Sequence, residues 1–488
     1  GKTTVLASRV AYILQNTYAR PWNILAITFT NKAANEMKER IARIVGDEAK
    51  DMWIGTFHSI CVRILRTCID RLGYGNDFVI YDTADSRTLI KECMKEKNID
   101  EKVFPVRSVQ SIISKAKNDL IDPDSFESAC KNNPRLRAIA DVYRLYQSRL
   151  ISNNALDFDD IILLTVNILK DNEDVAEKYQ ARFQYILVDE YQDTNNTQYE
   201  LIRILAAGYG NICVVGDDDQ SIYKFRGANI NNILEFEKDY KNAKRIMLEQ
   251  NYRSTATILN AANAVIANNK KRMGKKLWTD SGDGDPVITY TGFTEKDEAQ
   301  FVADQVERRY KETGHYSDCA VLYRTNAQSR AIEDAFMKNA IPYKVLAGLR
   351  FYDRKEVKDF IAYLRVVYNH SDDLSLRRII NEPKRKIGAA TLEKVQIHAD
   401  EEGVSNFEII SEVHKYPDLK SAASRLTDFV KLIKDLREKA KTLSIDELAS
   451  AVIKDSGYMA ALESENTVEA QTRIENINEF LSVVKDYA

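Results

Sequence analysis

The sequence predicts an α/β protein built on a parallel sheet, with large helical insertions. Two observations carry this prediction: strand-like apolar runs alternate with helical patterns over residues 1–77 and 155–247, and the segments between and after them are helical and charged. The chain has 488 residues, of which 44% are hydrophobic and 29% charged, enough for two to four domains of ~100–200 residues. No apolar run approaches the ~18 residues of a membrane span, so we expect no membrane partner.

Charge and cysteine usage narrow the class of protein. The chain has 70 Lys and Arg against 73 Asp and Glu, a net charge of −3. This excludes a small basic nucleic-acid module, whose pI would exceed ~9, but not a large enzyme with a local basic groove. The six cysteines form no C-x-x-C pair and the five histidines have no metal-ligand spacing. Scattered single cysteines are typical of a reducing compartment, so we predict a cytoplasmic location.

The first element is a helix that follows Gly1-Lys2-Thr3-Thr4. Gly-Lys-Thr before a helix matches the end of a P-loop, in which backbone N–H groups cradle phosphates, the Lys reaches them and the hydroxyl holds Mg²⁺. Four residues are equally compatible with a chance match. A strand-end carboxylate elsewhere in the chain is needed to support an ATP site.

The remaining elements follow in order. We predict strands at 23–29, 52–57, 185–188 and 211–215. A helix at 33–44 follows the first strand, and a helix that ends at about residue 72 follows the second. A helical insertion covers 78–152. Further apolar runs at 245–248, 286–290 and 319–323 predict a second sheet, and the chain after about residue 351 is predicted to be helical.

The strand at 185–188 ends in Asp189 and Glu190. In a P-loop enzyme the strand-end Asp holds Mg²⁺, and the adjacent Glu is placed to activate water. A helix N-cap also prefers Asp, so this pair alone is ambiguous. Its combination with Lys2 and Thr3, and with the Gln192-Asp193 that follows, favours an ATP site.

The run D-E-Y-Q-D-T at 189–194 resembles the D-E-x-Q-D box of superfamily 1 DNA helicases of the UvrD/PcrA/Rep type. Further boxes follow in that family's order: T-F-T-N-K-A-A at 28–34, G-T-F-H-S at 55–59, L-D-F-D-D at 156–160, V-G-D-D-D-Q-S-I-Y at 215–223 and Q-N-Y-R-S at 250–254. Their joint occurrence by chance is negligible, so the chain is identified as a member of this family.

The resemblance implies a set of residues for ATP and Mg²⁺. Those implied to bind ATP are Gly1, Lys2, Thr3, Thr4, Tyr252 and Arg253. Thr3 and Asp189 would hold Mg²⁺. Glu190 would activate the hydrolytic water, Gln220 would sense the γ-phosphate, and Arg253 would contact it, as suits a planar guanidinium beside developing charge.

The resemblance also implies a path for single-stranded DNA. The implied contacts are Phe29, Thr30, Asn31, His58, Tyr223, Phe225 and Arg226. The run 222–228 alternates aromatic and basic residues, as base stacking and phosphate neutralisation require. Many relatives carry Trp where this chain has Phe225, which offers a smaller stacking face. On residue chemistry alone, Phe29 could equally be a core residue and His58 a hydrogen-bonded polar one.

Two basic runs, 270–276 and 383–386, have no role in these boxes. Either could contact DNA phosphates, but charge runs are also common on solvated surfaces, and the sequence leaves both interpretations open.

The family resemblance implies P-loop NTPase (RecA-like) motor domains. We expect 1–77 and 155–247 to form motor domain 1A, 78–154 a helical insertion 1B, 248–352 the first part of motor domain 2A, and 353–488 an incomplete helical insertion 2B. The implied activity is ATP-dependent 3′–5′ movement on single-stranded DNA and at single-strand/duplex junctions, in repair or replication. Partners would be DNA and other repair or replication proteins, with the protein acting as a monomer or transient dimer.

The start of the P-loop and the family's C-terminal motifs V and VI are missing from this sequence. We therefore expect a fragment of a longer helicase, weakly active or inactive as a bare polypeptide. Three alternatives stay open: a helicase–nuclease subunit, a DNA-binding scaffold without ATPase activity, and a P-loop ATPase that is not a helicase. Intact Lys2, Asp189 and Glu190 argue against the scaffold, and the aromatic-basic run argues against the last alternative.

Overall fold

The structure is a computed structural model that describes residues 1–130, 133–269, 272–345, 352, 354–465 and 467–487. It divides into two compact units. The first unit comprises Gly1–Leu248, Asn269–Lys275 and Lys355–Ala488, and the second comprises Glu249–Asn268 and Lys276–Arg354.

The described residues form six β-strands and 23 α-helices. The strands are β1 Ile24–Thr28, β2 Trp53–Thr56, β3 Val79–Ile80, β4 Ala155–Leu156, β5 Tyr185–Val188 and β6 Ile212–Val214. The helices are α1 Lys2–Asn16, α2 Asn31–Val45, α3 Phe57–Leu65, α4 Thr83–Glu96, α5 Val106–Asn118, α6 Pro123–Ala129, α7 Pro134–Ser152, α8 Phe158–Asp171, α9 Glu173–Arg182, α10 Asn196–Ala206, α11 Asn231–Leu234, α12 Phe236–Asp239, α13 Ala256–Ile266, α14 Glu295–Thr313, α15 Ser329–Lys338, α16 Lys355–Tyr368, α17 Asp373–Ile379, α18 Ala389–Glu402, α19 Asn406–Ser411, α20 Ala423–Ala440, α21 Ile445–Asp455, α22 Tyr458–Glu465 and α23 Val468–Tyr487.

The main sheet of the first unit has the strand order β2-β1-β5-β6, and all its pairs are parallel. Alternate residues of β1 face opposite sides of the sheet, as strand geometry requires. Ile24 and Ala26 join a core with residues of α1 and α2, and Leu25 and Ile27 join a second core with residues of α3, α8 and α10. The sheet is thus covered on both faces, which explains the continuous apolar runs of its strands and confirms the predicted parallel α/β fold.

The helical insertion consists of α4 to α7. It is bounded by β3 and β4, which pair with each other in parallel and so bring the two ends of the insertion together. Its own core is rich in aromatic side chains, among them Tyr81, Tyr143 and Tyr146. The predicted helical character of this segment is confirmed.

The C-terminal helices α16 to α23 belong to the same unit and contact the insertion through buried or half-buried polar pairs. Arg365 lies 2.8 Å from Asp85, and the Tyr81 hydroxyl donates to Asp372 at 2.6 Å. Arg385, from the second basic run, donates to the backbone carbonyls of Ile379 and Glu382. That arginine therefore holds the fold together rather than offering its charge to a ligand.

The predicted strands at 245–248, 286–290 and 319–323 are wrong. In the described part of 245–354 the structure has no strand, and pairing is limited to an isolated bridge between Gln250 and Trp278. A strand needs a hydrogen-bonded neighbour, and an apolar run does not supply one. Ile246, Ile288 and Leu322 are correspondingly exposed. Instead, α14 and α15 pack through a small apolar core in the second unit.

No helix among the residues described has the length and apolar character to cross a membrane.

Candidate ATP site and nucleic-acid interface

The site lies where β5 ends and α1 begins. The Lys2 ammonium is 3.0 Å from Glu190 Oε2, and the Thr3 hydroxyl donates to Asp189 Oδ2 at 3.1 Å. Asp189 is buried, and Lys2 and Thr3 occupy the first turn of α1, whose backbone N–H groups lack intrahelical acceptors. Four residues that the sequence selected from two distant boxes are thus brought together. Gly1 precedes the helix, and Thr4 accepts a hydrogen bond from Arg40 at 3.0 Å.

The electrostatics of this site favour a cation. Burial and the neighbouring Glu190 raise the pKa of Asp189, and the same two causes raise the pKa of Asp193 to about 6. Three carboxylates close to one ammonium leave an excess of negative charge, which a divalent cation would offset. The Thr3 hydroxyl and the Asp189 carboxylate are hard oxygen donors of the kind Mg²⁺ takes. The residues present therefore fit a magnesium ion.

The backbone at Glu190 is unusual. Its φ of 51° lies in the left-handed region, which non-glycine residues rarely occupy. The conformation is held from both sides: the Glu190 N–H donates to Asp189 Oδ1, and the Asp193 N–H donates to the Glu190 carbonyl, each at 3.0 Å. Such backbone strain is typical of functional positions.

Gln220 lies in the loop after β6. Its side chain donates to Asp217 Oδ2 at 2.6 Å and is exposed. Two bases of the first basic run pair with carboxylates of this loop. The Arg272 guanidinium lies 2.8 Å from Asp219, and Lys275 pairs with Asp217 and, at 3.1 Å, with Asp218. These three carboxylates are close enough to share a metal ion, but each of them already pairs with one or both of these bases. Arg272 and Lys275 of the first basic run thus bind protein carboxylates, whereas Lys276 is exposed; residues 270 and 271 lie outside the described residues.

The run 222–228 forms an exposed aromatic and basic cluster. Tyr223 and Phe225 are 39% and 78% exposed, and their ring centroids are 6.0 Å apart. The Arg226 guanidinium lies 5.1 Å from the Tyr223 ring and 5.7 Å from the Phe225 ring. Two accessible rings with a cation beside them are what base stacking and phosphate contact require.

Of the other residues predicted to contact DNA, Thr30 and Asn31 are exposed, whereas Phe29 and His58 are half-buried. Phe29 is half-buried with its ring centroid 5.3 Å from that of Phe57. Thr30 caps α2 by accepting the Ala33 N–H at 3.1 Å, and the exposed Asn31 begins that helix. His58 packs edge-on against the Phe158 ring, and burial lowers its pKa, so at neutral pH it offers a hydrogen bond rather than a charge.

Tyr252 and Arg253 belong to the second unit. Tyr252 is 75% exposed and its hydroxyl donates to Gln250 Oε1 at 2.6 Å. The Arg253 side chain is exposed, and its backbone N–H donates to Asn251 Oδ1 at 2.9 Å. Their implied roles at the nucleotide stay predictions.

Sequence reasoning assigned no role of their own to two buried polar residues. Gln192 is 1% exposed and hydrogen-bonds both to Glu190 and to the loop after β6. Lys117 reads as part of a basic stretch, yet it is fully buried, 2.7 Å from both Asp157 and Asp160. The signal for Gln192 was its place in the box, two residues after Glu190 and directly before Asp193. The signal for Lys117 was its position on the apolar face of α5.

A parallel sheet that places a Lys-Thr helix start beside a strand-end Asp-Glu pair defines a P-loop NTPase. Two family models match the chain: the UvrD/REP helicase N-terminal domain over residues 1–241 and the UvrD-like helicase C-terminal domain over residues 246–488. The chain belongs to the UvrD/REP family of helicases, as the resemblance predicted, and the P-loop NTPase fold class is confirmed with it.

Curated relatives agree with this assignment. The chain is 49% identical over 488 residues to an ATP-dependent DNA helicase PcrA of Staphylococcus aureus (strain Mu50), and 48% identical over 487 residues to one of Staphylococcus epidermidis (strain ATCC 12228). Each match covers 100% of this chain and 67% of the relative. The chain therefore spans about two thirds of the length of these relatives.

Proposed function

We propose that this protein acts as an ATP-dependent 3′–5′ DNA helicase or translocase that uses ATP and Mg²⁺. The observation that carries the proposal is the meeting of Lys2 and Thr3 with Asp189 and Glu190, because these are the groups that phosphoryl transfer to water requires. The names of the relatives support DNA as the substrate. The direction of movement and a role in repair or replication rest on the family resemblance.

The proposed chemistry divides between two pairs of side chains. Thr3 and Asp189 hold Mg²⁺, which neutralises charge on the transferring phosphoryl group when bound. Lys2 exchanges its contact with Glu190 for one with the phosphates. That exchange frees the Glu190 carboxylate to accept a proton from the attacking water.

The DNA strand is proposed to stack on Tyr223 and Phe225, with Arg226 neutralising phosphate. This cluster follows Gln220 by only a few residues, so the proposed γ-phosphate sensor and the proposed DNA contact share one loop. The domain limits given above, with motor domains 1A and 2A and insertions 1B and 2B, are part of the same proposal. So are action as a monomer or transient dimer and association with repair or replication proteins.

The first test is ATP hydrolysis by the full-length protein with and without oligo-dT, together with displacement of a strand from duplexes that carry a 3′ or a 5′ single-stranded tail. We expect strong stimulation by oligo-dT and displacement from the 3′-tailed duplex alone. Absence of stimulation would favour the scaffold alternative, whereas displacement from the 5′-tailed duplex would reverse the proposed polarity.

Phe225→Ala is expected to weaken binding of single-stranded DNA by about 5- to 150-fold, which corresponds to the ~1–3 kcal/mol of one stacked base. Phe225→Trp should bind as tightly as the wild type or more tightly, because its stacking face is larger. Fluorescence anisotropy of labelled oligo-dT measures both. Tyr18→Ala is the matched control, since Tyr18 is a fully exposed ring on the same unit that lies outside all the boxes. Equal loss in Tyr18→Ala and Phe225→Ala would contradict stacking at Phe225.

A further inference from the structure

Gln192 occupies an exceptional position between the proposed catalytic base and the loop that leads to the proposed DNA contacts. Its amide nitrogen donates to Glu190 Oε2 at 2.9 Å, and its amide oxygen accepts the backbone N–H of Asp217 at 2.9 Å. The orientation of the amide is fixed, because a carboxylate can only accept and a backbone N–H can only donate. The donor and the acceptor of the Gln192 amide are therefore both used, the donor toward Glu190 and the acceptor toward Asp217.

The surroundings leave this side chain little freedom. Gln192 is 1% exposed, and its backbone carbonyl accepts the Ser221 hydroxyl at 3.3 Å. A Cβ atom at Gly216 would lie 2.6 Å from Ile233 Cδ1 and 2.8 Å from the Gln192 amide oxygen, so the loop approaches this closely only because residue 216 is a glycine. Gln192 thus bonds to this loop at Asp217 and at Ser221, on either side of the turn that carries Gln220.

The same loop continues to the aromatic cluster. Asp217 accepts the side-chain hydrogen bond of Gln220, and Tyr223 and Phe225 follow within five residues. A displacement of the loop on DNA binding would move the backbone of Asp217. Because the Gln192 amide is hydrogen-bonded to Asp217 and to Glu190, the Glu190 carboxylate would be displaced as well. Buried, fully satisfied hydrogen bonds are suited to this, because the alternative is an unpaired polar group in a low-dielectric interior.

We propose that Gln192 is a positioning residue that couples the orientation of Glu190 to the loop 216–221, so that single-stranded DNA bound at Tyr223 and Phe225 stimulates ATP hydrolysis through it. This inference rests on the proposed function. It assigns Gln192 no contact with ATP or DNA, and it therefore predicts an effect on stimulation rather than on binding.

The test uses the full-length protein and the variant Gln192→Met, which removes both hydrogen bonds at nearly constant volume. We expect the ratio of oligo-dT-stimulated to basal kcat to fall at least about tenfold, to near one, while basal kcat, the KM for ATP and the affinity for labelled oligo-dT stay within about threefold of the wild type. Gln180→Met is the matched control, because Gln180 also donates one amide hydrogen bond, to the Ile204 carbonyl at 2.9 Å, but lies on α9 away from both boxes. Its stimulation ratio should not change.

Gly216→Ala disturbs the hydrogen bond between Gln192 and Asp217 by a change in the loop, and it leaves the Gln192 amide itself unchanged. The added methyl group presses both on the end of the Ile233 side chain and on the amide oxygen of Gln192. This variant should therefore also lose stimulation, and it keeps the inference testable if Gln192→Met fails to fold. A wild-type stimulation ratio in both folded variants overturns the inference and leaves the proposed function standing. Parallel losses of basal and stimulated kcat also overturn it, since they indicate a structural role. Absence of stimulation in the wild type overturns the proposed function and the inference together.

Discussion

Glu190→Gln is expected to reduce ATP hydrolysis stimulated by single-stranded DNA by about 10²- to 10⁴-fold, the usual contribution of a positioned general base. The amide has nearly the same size and can still accept a hydrogen bond from Lys2, but it cannot take a proton from water. Glu190 lies 3.0 Å from the Lys2 ammonium and is held in a left-handed backbone conformation, so its carboxylate has a defined position at the end of β5. The proposed contacts to ATP are made by Lys2 and the helix start, so binding of ATP should persist.

Steady-state ATP hydrolysis by the full-length protein, with oligo-dT in excess, measures the loss in Glu190→Gln, and binding of a fluorescent ATP analogue measures what is kept. Glu39→Gln is the control: it makes the same chemical change at an exposed position of α2, where Glu39 has only a surface contact with Arg43. Retention of more than about a tenth of the wild-type rate in Glu190→Gln would show that another group activates the water.

Lys117→Met is expected to destabilise the first unit by about 3–5 kcal/mol, the usual cost of breaking a buried ion pair by removing one partner. Burial alone would lower the pKa of Lys117, but the carboxylates of Asp157 and Asp160 outweigh it and raise the pKa, so the ammonium stays charged. Without it, two buried carboxylates are left without their cation. The lysine joins α5 of the insertion to the segment that begins α8, so its loss weakens the packing between two parts of the unit.

Urea unfolding followed by circular dichroism measures this effect. Lys115→Met is the matched control on the same helix, since Lys115 is exposed and its replacement should change the free energy of unfolding by no more than ~0.5 kcal/mol. Adding Asp160→Asn to Lys117→Met should restore part of the stability, because it removes one of the uncompensated charges. A loss below about 1 kcal/mol in Lys117→Met would indicate that the carboxylates find another partner or take up protons at little cost.

Local sequence pattern was a good guide to the main sheet and a poor one to the second unit. Strands β1, β2, β5 and β6 were predicted within two residues, because each is a short, mostly apolar run flanked by helical patterns. The run at 319–323 has the same character, yet it forms no strand. The pattern reports that a segment could be buried in a sheet, whereas pairing depends on a neighbour that the pattern does not specify.

The candidate site shows the same division. The boxes around Lys2 and Glu190 were recognisable because each is a contiguous run of unusual composition. The bases at Arg272 and Lys275 were not interpretable as a run, because their partners, Asp217 to Asp219, are over fifty residues away in sequence. Gln192 was recognisable as part of the box at 189–194, but the partner of its second hydrogen bond, the Asp217 N–H, lies in the loop after β6.

The sequence by itself determined the family of this protein, the strands of its main sheet and the residues that carry the proposed ATP chemistry, since all of these are encoded in short contiguous segments. Only the tertiary structure decided which side chains meet: Lys2 with Glu190, Gln192 with Asp217, and Lys117 with Asp157 and Asp160. The physical reason is that these contacts follow from the order β2-β1-β5-β6 and from how the insertion packs on α8. Strand order and helix packing depend on the burial of apolar surface over the whole unit. They therefore cannot be predicted from the residues of any one local segment.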